Sequence, residues 1–212
     1  VQLADNNNWI ATLNANELGL DPLVRLGLPL ANLPPELQLI IGQIDLRQDK
    51  LNLDTTITGQ LDKLNVNDII ANGNVNLTIA NGEINSDFSL IGGQLGADFR
   101  GNDLNLPQII DIGLPLINLP PETLIELQTL DFSNGTVQTR GVVAADLNNL
   151  SANNITANAI GDINFGNMGG VISFRETRLI NGEFNLELEA NSVRLNPWLN
   201  VASNLGNLPP AT

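Results

Sequence analysis

The chain has 212 residues, a net charge of −14 at neutral pH, and no Cys, His or Tyr. Its nine basic residues are scattered singly, so no basic patch exists to neutralise phosphates; nucleic acid is a poor partner, and flat docking on an anionic membrane is disfavoured. Without imidazole, thiol or phenol the commonest bases, nucleophiles and zinc ligands are missing, and no enzyme activity, cofactor or metal is expected. Hydrophobic residues make up 42% and aromatics 4%, while Asn occurs 32 times; aliphatic strands linked by Asn and Gly turns fit that mixture.

Near the start, Asn16 to Leu23 reads NELGLDPL, and Pro22 follows Asp21 as at a helix start. A short helix or irregular crossover is predicted near 22–30, ended by Pro34-Pro35 and followed by a strand over 37–46. Strands with period-two alternation come next: Val75, Leu77 and Ile79, then Ile84, Phe88 and Leu90, then Leu95, Ala97 and Phe99. A second crossover is predicted near 108–117, ended by Pro120-Pro121 and leading into a strand over 124–132. Alternation resumes at Ile163 and Phe165, at Ile172 and Phe174, and at Phe184, Leu186, Leu188 and Ala190. A third crossover is predicted near 197–205. Asn72-Gly73, Asn81-Gly82, Gly92-Gly93, Asn134-Gly135, Gly169-Gly170 and Asn181-Gly182 read as turns, because Asn-Gly supplies the positive φ angles of tight hairpins. Successive strands are therefore expected to be antiparallel neighbours.

One phrase recurs along the chain. Leu26 to Glu36 reads LGLPLANLPPE, Ile112 to Glu122 reads IGLPLINLPPE 86 residues later, and LGNLPP from Leu205 is a third copy. The likeness extends outward: Asn16–Leu23 aligns with Asn102–Ile109 and with Asn191–Trp198, Asp45 with Asp131, Gly73 with Gly161, and Gly82 with Gly170. Repeats of this length point to stacked units rather than a closed globule. Residues 1–25 read as the end of one unit, 26–111 and 112–200 as two units, and 201–212 as the start of another, in one continuous rod. Neither end reads as a polar cap, and the chain is expected to be an internal stretch of a longer array.

About six strands per unit, each apolar on one face, would add up to a long one-sided sheet. Leaving that face in water forfeits about 25 cal/mol per Å² of apolar surface, so the sheet is expected to curl into a trough. Its wall is predicted to include Val75, Leu77, Ile79, Phe88, Leu90, Phe99, Phe165, Phe174, Phe184, Leu186 and Leu188.

The endings at Asn16–Leu23 and Asn191–Trp198, the Leu-Pro crossovers after them, and the restarts at Gly42–Leu46 and Gly161–Phe165 carry a family likeness. On these residues the chain resembles the TamB family of AsmA-like envelope proteins, over nearly its whole length. The middle copy departs from the pattern: Pro107 arrives one position early and Gln108 stands where the proline is expected. The resemblance implies an all-β rod, a long antiparallel sheet curled into a taco-like half-pipe with short helical or irregular Leu/Pro crossovers. It implies the periplasm of a two-membrane bacterium, such as a cyanobacterium, with an inner-membrane anchor outside this sequence. It also implies phospholipid as cargo, carried as acyl chains in the trough between inner and outer membrane, and an outer-membrane assembly protein of the Omp85 type as partner.

Two other classes of function stay open. One is a scaffold or chaperone for outer-membrane protein assembly that takes a client strand at an open sheet edge. The other is a secreted β-solenoid that binds polysaccharide. Glu183, Glu187 and Glu189 line the polar side of one strand at a spacing of about 6.5–7 Å, which also suits inverting glycosidases; a solvated acidic face is the plainer reading. GGQLGAD at Gly92–Asp98 lacks the full nonapeptide of a calcium-binding β-roll.

Overall fold

Period-two alternation and turn residues with positive φ produce one antiparallel sheet in the computed structural model, which describes residues 2–3, 7–27, 38, 42, 46–62, 65–114, 119–149, 151–199 and 201. Ten strands lie side by side in chain order: β1 (Gln2–Leu3), β2 (Asn8–Gly19), β3 (Lys50–Gln60), β4 (Ile70–Ile79), β5 (Gly82–Ile91), β6 (Gln94–Asn105), β7 (Thr136–Asp146), β8 (Ile155–Asn164), β9 (Val171–Ile180) and β10 (Glu183–Asn191). The sheet is curled and does not close into a barrel. Among the described residues, four strands fall in each unit, where about six were expected: β3–β6 in residues 26–111 and β7–β10 in residues 112–200.

The hairpins follow the turn chemistry with one shift and one correction. Gly92-Gly93 (φ 60° and 77°) and Asn181-Gly182 (φ 52° and 76°) are two-residue turns, whose twist matches that of the flanking strands. The β4–β5 turn uses Ala80 and Asn81 (φ 51° and 54°), one position before the predicted Asn81-Gly82. Asn72-Gly73 is not a turn; it lies inside β4. A Cβ at Gly73 would collide with the carbonyl oxygen of Asp54 and with Thr55 at 2.7 Å, so this glycine serves close strand approach rather than a reversal.

β2 and β6 each contain a bulge near the end, between Ala15 and Leu18 and between Gly101 and Leu104. Two residues oppose one on the next strand, so the following side chain returns to the apolar face. The extra residue is left-handed in both, Glu17 at φ 52° and Asp103 at φ 50°. The Glu17 amide donates to Asn52 Oδ1 at 2.7 Å.

The crossovers are helical, as expected, but their limits differ. α1 spans Leu20–Gly27 and α2 spans Leu106–Gly113. Asn105 caps α2, its side-chain oxygen accepting from the Gln108 amide at 3.1 Å, and Pro107 sits in the first turn, where its missing N–H costs nothing. The early proline of the middle copy therefore still opens a helix. Pro120-Pro121 does not end a helix; it starts α3 (Pro121–Thr129). The strand predicted over 124–132 is replaced by this helix and the loop after it, and the next strand begins at Thr136. Pro34-Pro35 and most of the strand predicted over 37–46 lie outside the described residues. The third crossover opens as a short 3-10 turn, Asn196–Trp198, and most of the rest of 197–205 is outside the described residues.

The packed core sits at one end of the strands. Leu104, Leu106, Phe132, Val137, Phe165 and Met168 are buried there, with Ile79, Ile109, Ile163, Ile172 and Trp198 packed against them. Phe132, Phe165 and Trp198 form a triangle with centroids 5.2–6.2 Å apart. Leu46, which aligns with Phe132, is buried in the preceding unit as well.

Two substitutions test this construction in urea unfolding. Gly141→Ala places a Cβ against the carbonyl oxygen of Asn158 and 2.8 Å from the Phe99 ring, and is expected to cost about 1–3 kcal/mol by overpacking. Asn105→Ala removes the α2 cap and is expected to cost about 1 kcal/mol; an unchanged midpoint for both would contradict the described geometry.

Candidate functional site

The pairing register decides which side chains share a face. One cross-strand row runs Leu13, Thr55, Gly73, Phe88, Ala97, Val143, Ala157, Leu179, Phe184 from β2 to β10. The next row holds Val75, Phe99 and Leu186, and the one after it Leu77, Phe174 and Leu188. Leu90 faces Leu95 on the other side of the first row. Ten of the eleven predicted lining residues thus stand on one face, in rows that also carry Thr55, Ser86, Thr139 and Thr177.

The exception is Phe165. β8 ends at Asn164, and Phe165 turns into the packed end cluster at 6% exposure. Ile79 keeps its face but packs against the same cluster. Val75, Leu77, Phe88, Leu90, Phe99 and Phe174 are half-buried by their neighbours in the sheet. Phe184, Leu186 and Leu188 on β10 are 63%, 49% and 56% exposed. The face therefore has a covered end and an open remainder.

Leu51, Leu53 and Ile57 of β3 belong to the same face and extend it toward β2. Their signal was in the sequence, since KLNLDTTITGQ alternates as regularly as the strands of the later hairpins. β7 contributes Val137, Val143 and Ala145 in the same way.

Small residues make room for the large rings. A Cβ at Gly59 would lie 2.8 Å from the Trp9 ring, one at Gly141 would meet the Phe99 ring, and one at Gly161 would overlap the Phe174 ring. Each aromatic lies flat over a cross-strand glycine, so the bulkiest side chains cover the sheet without rising far from it.

The opposite face is mostly polar, with Ile10, Ile70, Ile91 and Val142 exposed among its polar side chains. Asn52 donates to Asn76 at 3.3 Å, and Asn76 donates to Asn85 at 2.6 Å, a ladder across β3, β4 and β5. A wide, open depression of about 930 Å³ over β4–β8 is lined by Asn74, Asn85, Asp87, Asp98, Arg100 and Arg140, among others. Glu187 and Glu189 are on this side of β10, where Arg175 pairs with Glu189 at 2.8 Å and Arg178 pairs with Glu176. The hydrogen bond and charge of Arg175 hold the Glu189 carboxyl below the usual carboxylate range. This is a solvated face on which two of the arginines are ion-paired. Among the described residues, no group of three or more acidic side chains is placed to hold a metal ion, and no helix is long and apolar enough to cross a membrane.

The chain exposes 13570 Å², where a compact monomer of this length exposes about 9,500 Å². Among the described residues, no second layer covers the rows through Phe88 and Val75.

No family model, no curated protein and no solved structure matches the chain.

The division into a covered end and an open remainder has a direct energetic test. Phe132→Ala, at a residue 7% exposed in the aromatic triangle, is expected to cost about 3–5 kcal/mol. Leu186→Ala is expected to stay within about 0.5 kcal/mol of the parent. Equal costs at the two positions would mean that the face around Leu186 is packed.

Proposed function

We propose that the apolar face binds and conducts lipid acyl chains, as a segment of a TamB-like bridge carrying phospholipid across a periplasm. The observation that carries this reading is the register that places apolar side chains of β2 to β10 on one face, with Phe184, Leu186 and Leu188 exposed on it. Contiguous exposed apolar surface on this scale marks an interaction site in a soluble protein. A buried CH₂ is worth about 0.8 kcal/mol, so a free acyl chain in water costs on the order of 10 kcal/mol. A continuous apolar track removes that cost at every position along it.

Both units contribute apolar side chains to the face, so a chain could be held at successive positions along it. Headgroups would remain in water at the rim, which suits a wall whose side chains are uncharged. The reading includes an inner-membrane anchor and an Omp85-type partner only through the family likeness.

Photo-crosslinking amino acids at Phe184 and, in a separate protein, at Glu187 test the proposal in cells that supply membrane lipid. These neighbours point to opposite faces of β10. Lipid capture at position 184 and not at 187 is the expected result. Capture at neither site, with the protein folded, would count against the conduit and favour a scaffold role.

A further inference from the structure

Two crossovers leave and re-enter the sheet in the same way. β2 ends at Gly19 and β3 begins at Lys50; β6 ends at Asn105 and β7 begins at Thr136; the interval is 31 residues each time. Each departing strand has its left-handed bulge residue, Glu17 or Asp103. Each crossover is then pinned by the same hydrogen bond, from the first helical amide to the carbonyl just before the returning strand. Leu20 donates to Asp49 at 3.0 Å and Leu106 donates to Gly135 at 2.9 Å. The returning strand pairs with the departing one along its length.

β10 carries the departing half of this device. Asn191-Ser192-Val193 aligns with Asn16-Glu17-Leu18 and Asn102-Asp103-Leu104, and Ser192 is left-handed at φ 55° like its two counterparts. Leu195 aligns with Leu20 and Leu106, yet it is 70% exposed where Leu106 is 4% exposed. Every residue of β10 is exposed, and among the described residues its outer edge has no neighbouring strand.

We infer that the outer edge of β10, with left-handed Ser192 and Leu195, is a strand-acceptor site for a repeat-opening segment of the type seen at residues 131–146. The equivalence fixes the register: the Val137-type residue falls opposite Val193, the Thr139 type opposite Ala190, and the Gly141 type opposite Leu188. The Val143 and Ala145 types then fall opposite Leu186 and Phe184. Small residues thus meet the three large side chains of β10, as Gly141 meets Phe99 between β6 and β7. Main-chain hydrogen bonds to the open edge supply affinity, and the alternate side chains supply register. Affinity comes from the main-chain edge of the sheet, while Phe184, Leu186 and Leu188, which set the register, also belong to the apolar face.

The test adds a peptide of residues 131–146 in trans to the full chain and follows amide hydrogen exchange. Exchange in β10 is expected to slow at least tenfold, with β3 and β7 of the chain unchanged, while a scrambled peptide of the same composition has no effect. Leu188→Asp, at an exposed position, is expected to weaken peptide binding at least tenfold while leaving the exchange of β2–β9 as in the parent. No protection of β10 at about millimolar peptide, equal protection by the scrambled peptide, or protection confined to other strands would each overturn the inference. Failure of lipid capture would leave these results unaffected.

Discussion

A β-sheet satisfies its backbone laterally, strand to strand, and leaves its two faces to find their own environment. In this chain the lateral requirement is met by nine successive antiparallel pairings without interruption. The facial requirement is met on one side by water and on the other only in part. The crossover helices and the Phe132–Phe165–Trp198 triangle cover one end of the strands. Nothing described covers the rows through Phe88 and Val75 beyond their own neighbours.

The two faces are kept distinct by small devices at recurring positions. Bulges after Ala15 and Gly101 restore Leu18 and Leu104 to the apolar side. Glycines under Trp9, Phe99 and Phe174 let rings lie flat. On the polar side, the asparagine ladder and paired arginines satisfy one another or face water. A net charge of −14 opposes association of copies through their open surfaces. A one-layer sheet with an uncovered apolar face needs that protection.

Much of the sheet was legible because alternation reports directly on facing. Val75 to Ile79, Phe88 to Leu90, Leu95 to Phe99 and Phe184 to Leu188 fell where the pattern put them. The failures share a cause: a local signal with two physical meanings. Asn-Gly marks a turn at 181–182, but at 72–73 the glycine answers a crowded cross-strand contact. Phe165 continues the alternation of Ile163 yet lies past the strand end, where burial in the aromatic cluster takes over. In residues 124–130, Leu124, Leu127 and Leu130 recur at helical spacing, and Pro121 at the first turn favours the helix over a new strand. The bulge residue Glu17 gave no sign in sequence, because its left-handed backbone is set by the strands around it.

The chain's two tryptophans allow the central claim to be tested most directly. Trp9 lies on the apolar face over Gly59, and Trp198 is in the packed end cluster. Single-tryptophan proteins, Trp9→Phe and Trp198→Phe, would be titrated with phospholipid brominated in mid-acyl chain, and tryptophan fluorescence followed. An open acyl-chain track predicts saturable quenching of Trp9 and little of Trp198. Equal quenching of both, or none of Trp9, would contradict it.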